Sequence, residues 1–593
     1  MTEVRGEFIR ALPGVLEEHA RRAGDRTAFQ DARRAVTYAA LEERTRRLAG
    51  HLARLGVRHG DRVALCLGSR VEMMESYLAV LRAGAVGVPL DPRATDAELS
   101  YVLDDSGATA VITEEALLPR IARPANGPER WTVVVAVTDR LPGHAPAGAV
   151  LFEALAGTDP GVPPRDDLGL DEPAWILYTS GTTGESKGVV SSQRGALWSV
   201  AAAYVPRWDF QRQDRMLWPL PLHHAMAHSM CLLGVVSVGA SAYLLDRGAS
   251  VARALAERPY TVLAGVPATF HLLLDSVRKG VRPLPGLRLC ATGGAPCPPA
   301  LRAETEKLLG APLLDTYGST ETCGKITANG LGEFRTDDSN GLPLPGVEVR
   351  VAHPTTGEDV ADGEEGELRV RGPNLMLGYH NRPDATARAF HDGWYRTGDL
   401  GRRLPHSGIQ VTGRLKELII RGGQNINPPE VEQVLLGCPD IADAAVVGRP
   451  HDVLGEVPIA FVVPGSGSGG VDTGRALAAC RERLSGFKVP DEVYETGSVP
   501  RTSSGKLLRA DLVRQLTERL TTARESASAA LRERLLQLPA SGRYDAVLRL
   551  VLDATARVCD VPAPGPEPDR PFTVFGLASL GGAPISFVKG RVG

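Results

Sequence analysis

Helical and strand periods alternate through the first half of the chain. Apolar residues recur every three or four positions from Leu41 to Leu55, which predicts an amphipathic helix, and the apolar run Arg62 to Leu67 predicts a buried strand. The same alternation continues with a helix over Met73 to Arg82, closed by Gly84, and strands over Thr109 to Thr113, Trp131 to Val137 and Ala174 to Tyr178. Such a pattern predicts the α/β class, with a large N-terminal domain of layered, mostly parallel sheets. From about Gly341 the strand-like runs Val347 to Val351, Glu367 to Val370 and Ile409 to Val411 are separated by turn residues, so a small β-rich subdomain is expected. An α+β C-terminal domain is expected from Arg414, with helices over Pro429 to Leu436 and Arg475 to Leu484, strands over Ile441 to Val447 and Pro458 to Val463, and a Gly/Ser loop over Gly465 to Gly470. Leu512 to Leu538 predicts a linker helix, Tyr544 to Cys559 a second amphipathic helix, and Pro562 to Pro571 a Pro-rich loop. The expected divisions are therefore 1–413, 414–515, 516–541 and 542–593.

With 593 residues, several cores are needed. A formal net charge of -3 gives no footing for nucleic-acid binding. The scattered cysteines form no CxxC pair, which fits neither a zinc site nor a disulfide framework and points to a reducing cytoplasm. No apolar run is long enough to span a bilayer, so no membrane partner is expected. Basic residues are mostly Arg; lysine is confined to Lys187, Lys279, Lys307, Lys325, Lys416, Lys488, Lys506 and Lys589. In such a chain a surviving lysine suggests a use for a compact charge on a flexible stem.

Directly after the strand ending at Tyr178 comes Thr179-Ser180-Gly181-Thr182-Thr183-Gly184-Glu185-Ser186-Lys187-Gly188. Glycines let the backbone approach a phosphate chain, hydroxyls and amides donate to its oxygens, and Lys187 adds a charge. A Walker A loop would need GxxxxGK[ST]; here Gly188 follows Lys187, so that reading fails. The segment resembles the phosphate loop of the adenylate-forming superfamily, which contains acyl-CoA synthetases, peptide-synthetase adenylation domains and luciferases. Further segments resemble that family's motifs in its order: Tyr317-Gly318-Ser319-Thr320-Glu321, Tyr395 to Leu400 around Asp399, Gly413-Arg414-Leu415-Lys416-Glu417, Gly422-Gly423-Gln424, and Pro500 to Lys506.

The resemblance implies an AMP-forming acid–thiol ligase using ATP and Mg²⁺. Lys506 would bridge the acyl oxygen and α-phosphate, where two anions meet. Thr179 to Gly184 and Lys187 would cradle the phosphates, with Glu321 and Thr183 at the metal. Tyr317, Gly318, Thr320, Gly294 and Ala295 would line the ATP site, Asp399 would hold the ribose hydroxyls, and Arg414 would read ribose or phosphate. Lys416 would be a hinge about which a mobile C-terminal domain turns, and Gly422 and Gly423 would line a thiol tunnel. His406-Ser407-Gly408 stands where the family has an Asp-Gly turn and is expected to be tolerated.

Pro219 to Ser229 resembles the family's acyl-pocket segment, His224 gating it near the phosphates. His223, His224 and His228 invite a metal reading, but no carboxylate accompanies them. Ala225 and Met226 stand where amino-acid-activating relatives place an Asp, so nothing evident would compensate a buried α-ammonium. Val266, Gly293 and Tyr317 would supply further walls, and the glycines leave room for a flat ring, favouring an aromatic or cyclic acid. Phe572 to Leu580 resembles the phosphopantetheine site of carrier domains, with Ser579 as the attachment point. Ala578 replaces the usual Asp, and Gly581-Gly582-Ala583-Pro584 is a poor helix start, so a partial carrier segment is expected. In overall pattern the chain resembles polyketide-synthase loading ligases. The implied partners are a small carboxylic acid and an acyl carrier protein or downstream polyketide-synthase module, or CoA. A P-loop ATPase or a non-catalytic nucleotide-binding relative are the alternatives; the second would predict losses at Lys187, Glu321, Asp399 or Lys506, and all four are present.

Overall fold

Strands that are apolar on both faces belong in the middle of a sheet covered on both sides. Arg62–Cys66, Val86–Pro89, Ala110–Glu114 and Thr132–Ala136 are of this kind, and they pair in parallel at the centre of an eight-stranded sheet. A nine-stranded sheet has a parallel centre too, built from Thr27–Gln30, Ser241–Leu244, Arg215–Trp218, Val262–Gly265, Leu289–Thr292 and Leu313–Ser319, with antiparallel strands at both edges. The computed structural model describes residues 3–121, 131–179, 186–246, 248–332, 339–451, 453–465, 469–502, 507–539, 542–543 and 546–547.

Helices Tyr38–Arg54 and Val71–Arg82 lie in the main core with side chains from both sheets. Every residue of Val71–Arg82 is buried, charged ones included. Buried charges persist only when paired. Glu75 takes Arg34 at 2.5 Å and Arg44 at 2.6 Å, while Arg82 meets Asp166 at 2.9 Å and Glu42 at 3.0 Å. The start of this helix is capped from a distance, Asp31 Oδ2 accepting from Val71 N at 2.9 Å.

The β-rich region expected after Gly341 is an antiparallel five-stranded sheet, with Glu348–Ala352, Gly366–Arg371 and Trp394–Arg403 in sequence and Ile409–Arg414 on the far side of Trp394–Arg403. Trp394–Arg403, ten residues long, was not legible as a strand, because Arg396-Thr397-Gly398-Asp399 interrupts its apolar alternation. A second five-stranded sheet joins Ile441–His451 and Gly455–Pro464 to Ile419–Arg421, Gln424–Ile426 and Glu492–Glu495, with helices Pro428–Leu436 and Thr473–Arg483 beside it. Gly422 and Gly423 form its two-residue hairpin tip at φ 56° and 81°, the left-handed pair of a type I′ turn.

The chain falls into two compact units, Met1–Arg509 and Ala510–Gly593. In the second unit the described structure is almost entirely the helix that starts at Arg509 and runs to Gln537, in the place of the expected linker helix. Most of Tyr544 to Cys559 and all of Pro562 to Leu580, Ser579 included, lie outside the described residues. Among the described residues seven cysteines are free and buried, and no helix is long and apolar enough to cross a membrane.

His406 and Ser407 join Arg403 to Ile409 with φ of 62° and 65°, the left-handed region that non-glycine residues enter at about 1 kcal/mol each. Ser407→Gly removes that strain and loses part of the gain to unfolded-chain entropy. A net stabilisation of ~0.5 kcal/mol is expected in urea unfolding, and a destabilised variant would contradict the strain assigned here.

Candidate active site

Asp399 is 6% exposed and holds two partners. The Tyr317 hydroxyl donates to Oδ2 at 2.8 Å and Arg414 Nε meets Oδ1 at 3.0 Å. Strand pairing sets this up, since Asp399 lies directly opposite Arg414. Thr397 Oγ1 accepts from Asp399 N at 3.0 Å and donates to Leu368 O at 2.7 Å, fixing the bend at Gly398. Burial works against the Arg414 charge, but Asp399, Glu417 and Glu321 outweigh it and hold the guanidinium ionised.

The phosphate-loop residues Ser180 to Gly184 lie outside the described residues, Thr183 among them; the base of the loop is described. Thr179 pairs with Lys187 across the hairpin Pro173–Thr179 and Lys187–Ser192. Ser186 Oγ donates to Thr179 O, and Tyr101 Oη donates to Ser186 O at 2.7 Å. Lys187 Nζ sits 5.1 Å from the centre of the Tyr379 ring, and Tyr379 Oη donates to Glu321 Oε1 at 3.0 Å. Lys187 and Glu321 are thus joined through one tyrosine. A single carboxylate suits Mg²⁺, which takes one or two carboxylates and completes its shell with nucleotide phosphates and water. Among the described residues no cluster of three or more His, Cys, Asp or Glu could hold a metal alone.

A cavity of about 170 Å³ opens beside this constellation. The expected acid-pocket residues Ala225, Met226, Val266 and Gly293 line it, and so do His224, Gly294, Gly318 and Thr320. Tyr317 is not in its wall: strand alternation turns that ring towards Asp399, so it serves the carboxylate rather than the cavity. Ala295 is half-buried and likewise outside the wall. Sequence reasoning did not assign Trp218, Thr316 or Lys325, which also line the cavity, as does Ser229 at the end of the expected acyl-pocket segment. For Lys325 a signal existed, as one of few lysines in an Arg-rich chain, adjoining the Tyr317 to Glu321 motif.

The histidines are kept neutral by burial, which lowers the pKa of His224 to about 4 and of His223 and His228 to about 3. Asp91, 3.5 Å from His223, opposes this without reversing it. His228 packs edge-on against Trp175 at 4.2 Å, away from the other two.

Lys416 lies exposed in the turn Leu415–Glu417, and the Gly422-Gly423 tip is exposed as well. Arg509 binds Glu417 at 2.8 Å and Glu432 at 2.5 Å, anchoring the residue after Lys416. Lys506 lies outside the described residues. On either side of its loop Arg501 pairs with Leu507, and Arg501 binds Asp443 at 2.7 Å. The charges of Asp443 and Arg501 both act on His271, in the helix that starts at Pro267 next to the cavity residue Val266.

The sequence pattern described as AMP-binding enzyme matches residues 16–380, and that described as AMP-binding enzyme C-terminal domain matches residues 430–506. Naringenin synthase of Pestalotiopsis fici is 39% identical over 96% of this chain, and the chain spans only 21% of that relative's length. Feruloyl-CoA synthase of an Amycolatopsis species is 37% identical over 84% of this chain and 97% of its own length. Among solved structures, a benzoate CoA ligase from Burkholderia xenovorans superposes with a TM-score of 0.75 at 28% identity, covering 85% of this chain and 99% of that one.

Each histidine named above binds protons less readily folded than unfolded. Its contribution to stability is whole above pH ~6.5 and is lost towards pH 4, at about 1.4 kcal/mol per pH unit per ring. His228→Phe removes one such group while keeping a ring against Trp175. The drop in urea midpoint between pH 7.5 and pH 5 should be smaller in this variant than in the parent; an equal drop would mean His228 is not the titrating group.

Proposed function

The chain belongs to the AMP-binding enzyme family, and on that premise we propose that it is an AMP-forming acid–thiol ligase that activates a single-ring aromatic or cyclic acid and passes it to a phosphopantetheine thiol. The cavity carries this reading. An apolar cavity of ~150 Å³ takes up benzene, and the space lined by His224, Met226, Val266 and Gly293 is about 170 Å³. Four glycines, Gly293, Gly294, Gly318 and Gly324, stand in its wall and leave bare backbone against which a flat ring can lie. A long fatty chain is disfavoured by the same volume.

In the proposed reaction Asp399, oriented by Tyr317 and Arg414, accepts the two ribose hydroxyls and fixes the nucleotide without reacting. Thr179 to Gly184 and Lys187 donate to the phosphates. Glu321, with Thr183, is the site for Mg²⁺, which supplies charge neutralisation at the phosphates when bound. His224, neutral, adds a hydrogen-bonding wall without adding charge. Lys506 brings a cation to the point where acid oxygen and α-phosphate meet, lowering the repulsion between two anions. Residues 414–515 then turn about Lys416 relative to 1–413, withdrawing Lys506 and bringing the Gly422-Gly423 tip to the thiol. Residues 516–541 are the linker to a partial carrier segment at 542–593.

Two observations bear on the acceptor. Similarity to naringenin synthase runs over nearly the whole chain, past the extent shared with the CoA synthase, which supports a carrier-linked thiol. CoA itself is the second reading, favoured by relatives matched end to end that are named CoA synthases.

Asp399→Asn weakens the ribose contacts and leaves Arg414 without its carboxylate. The KM for ATP should rise ten- to hundredfold in acid-dependent pyrophosphate exchange with the folded protein intact; an unchanged KM would remove Asp399 from the nucleotide site. Treated with a phosphopantetheinyl transferase, then ATP and a cyclic acid, the chain should gain the masses of the arm and the acyl group, and Ser579→Ala should lose both gains while keeping exchange. Transfer to free CoA with no mass gain would establish the second reading instead.

A further inference from the structure

A lysine sits in the cavity wall where an acid ligase has no evident need of one. Alternation along Leu313–Ser319 turns Tyr317 to Asp399 and leaves Thr316 and Gly318 facing the cavity. Lys325 pairs with Gly318 across the hairpin, so its side chain enters from that same face, away from the ribose carboxylate. A Cβ built on Gly293 would stand 3.5 Å from Lys325 Nζ, which places the ammonium beside the bare backbone of the glycine wall.

The residue is 6% exposed, and its main chain is held on both sides. Lys325 N donates to Ser199 Oγ at 2.8 Å, and Lys325 O accepts from Asn374 Nδ2 at 3.0 Å. The stem is therefore rooted, and the head has little choice of place. Among the described residues no carboxylate comes within ion-pair distance of Nζ and no acceptor bonds to it. Asp315 attracts it through space only. That carboxylate is already engaged, Oδ1 accepting from Thr316 N at 2.8 Å and Oδ2 from Asn340 Nδ2 at 3.0 Å, with Arg302 at 3.6 Å. Burial lowers the Lys325 pKa to about 8 against the pull of Asp315, so the ammonium is mostly charged at neutral pH. A cation set in a cavity wall without a bonded partner is unfavourable there. Its partner is supplied by whatever fills the cavity.

We propose that Lys325 selects the acid: it donates to an oxygen that the substrate carries away from its reacting carboxylate, either a ring hydroxyl or a second carboxylate. This rests on the reading of the cavity as the acid site, and narrows the substrate class to oxygen-substituted aromatic or cyclic acids. Lys325 is thereby a specificity residue, distinct from the groups proposed to handle the phosphates.

The test is acid-dependent pyrophosphate exchange by the full chain with benzoate, the three monohydroxybenzoates and benzene dicarboxylates. The parent protein should show a KM for at least one oxygen-bearing acid about ten- to hundredfold below that for benzoate, and Lys325→Met should raise that KM by the same factor. The preference for that acid over benzoate, as a ratio of kcat/KM, should fall by the same factor in the variant. A preferred hydroxy acid and a preferred dicarboxylate are told apart by the panel itself. Lys325→Gln, a neutral donor, should keep a hydroxyl preference and lose a carboxylate preference. Equal use of benzoate and every substituted acid by the parent would overturn the proposal, and that ranking needs no variant to fold. An equal fall in kcat for all acids in Lys325→Met would overturn it too, by giving Lys325 a role at the reacting carboxylate. Exchange driven by none of these acids, but by acids of another kind, would defeat the proposed function itself and this inference with it.

Discussion

A carboxylate that is 6% exposed stays ionised only if its surroundings replace the water it has lost, and Asp399 is in that position. Its two partners come from different parts of the fold. Tyr317 belongs to an inner strand of the nine-stranded sheet, and Arg414 is the last residue of Ile409–Arg414 in the smaller antiparallel sheet. One charge therefore ties the large sheet to the subdomain at the residue where the chain leaves for the C-terminal sheet. The neighbouring Gly413 carries the constraint one step further. A Cβ there would come 2.0 Å from Asn427 Oδ1, and Asn427 Nδ2 donates to Thr412 O at 2.7 Å. A side chain at residue 413 would displace the Asn427 amide from its bond to Thr412 O, just before the helix Pro428–Leu436.

Around this fixed charge the site is poor in mobile charge. The histidines next to the cavity are neutral through burial, and Glu321 is tied to Lys187 by the Tyr379 hydroxyl and ring. Such an arrangement suits chemistry in which the incoming molecules bring the anions. A site already rich in charge would have to be screened before an acid and a triphosphate could approach each other.

How much of this the sequence made visible depends on what each segment must satisfy. Arg62–Cys66, Ala110–Glu114, Thr132–Ala136 and the buried helix Val71–Arg82 were legible because burial demands runs of apolar residues, whereas Val86–Pro89 and the parallel strands of the nine-stranded sheet, most of them four residues long, were not read as strands. Pro173–Thr179 was legible for the same reason, and its continuation into a Gly/Thr loop made the phosphate cradle recognisable. Trp394–Arg403 was not, because the residues that do its work are polar and break the alternation that marks a strand. The Gly422-Gly423 hairpin was noticed as a motif rather than as a turn, its flanking strands being only three residues each. The π-helical stretch Ala227–Gly234, which supplies Ser229 to the cavity, has no distinguishing period in a run this uniformly buried. Tyr317 shows the limit most clearly: the motif identifies the residue, but only the pleat of the strand decides which of two neighbouring sites it faces.

Lys325 constrains the acid in a different way from the residues beside His224. From the sequence, α-amino acids were disfavoured by an omission, since Ala225 and Met226 leave an ammonium without a carboxylate. An omission is a weak constraint, because water or a distant residue can compensate. A fixed cation in the wall is a stronger one. Two ammonium groups sharing a cavity of about 170 Å³ repel each other in a medium that screens poorly, and neither can move to a better place while the other is bound. An oxygen at the same point reverses the sign of the interaction and relieves the desolvation of Lys325 in the same step. The property that excludes one class of acid is therefore the one that attracts another, and a single side chain accounts for both.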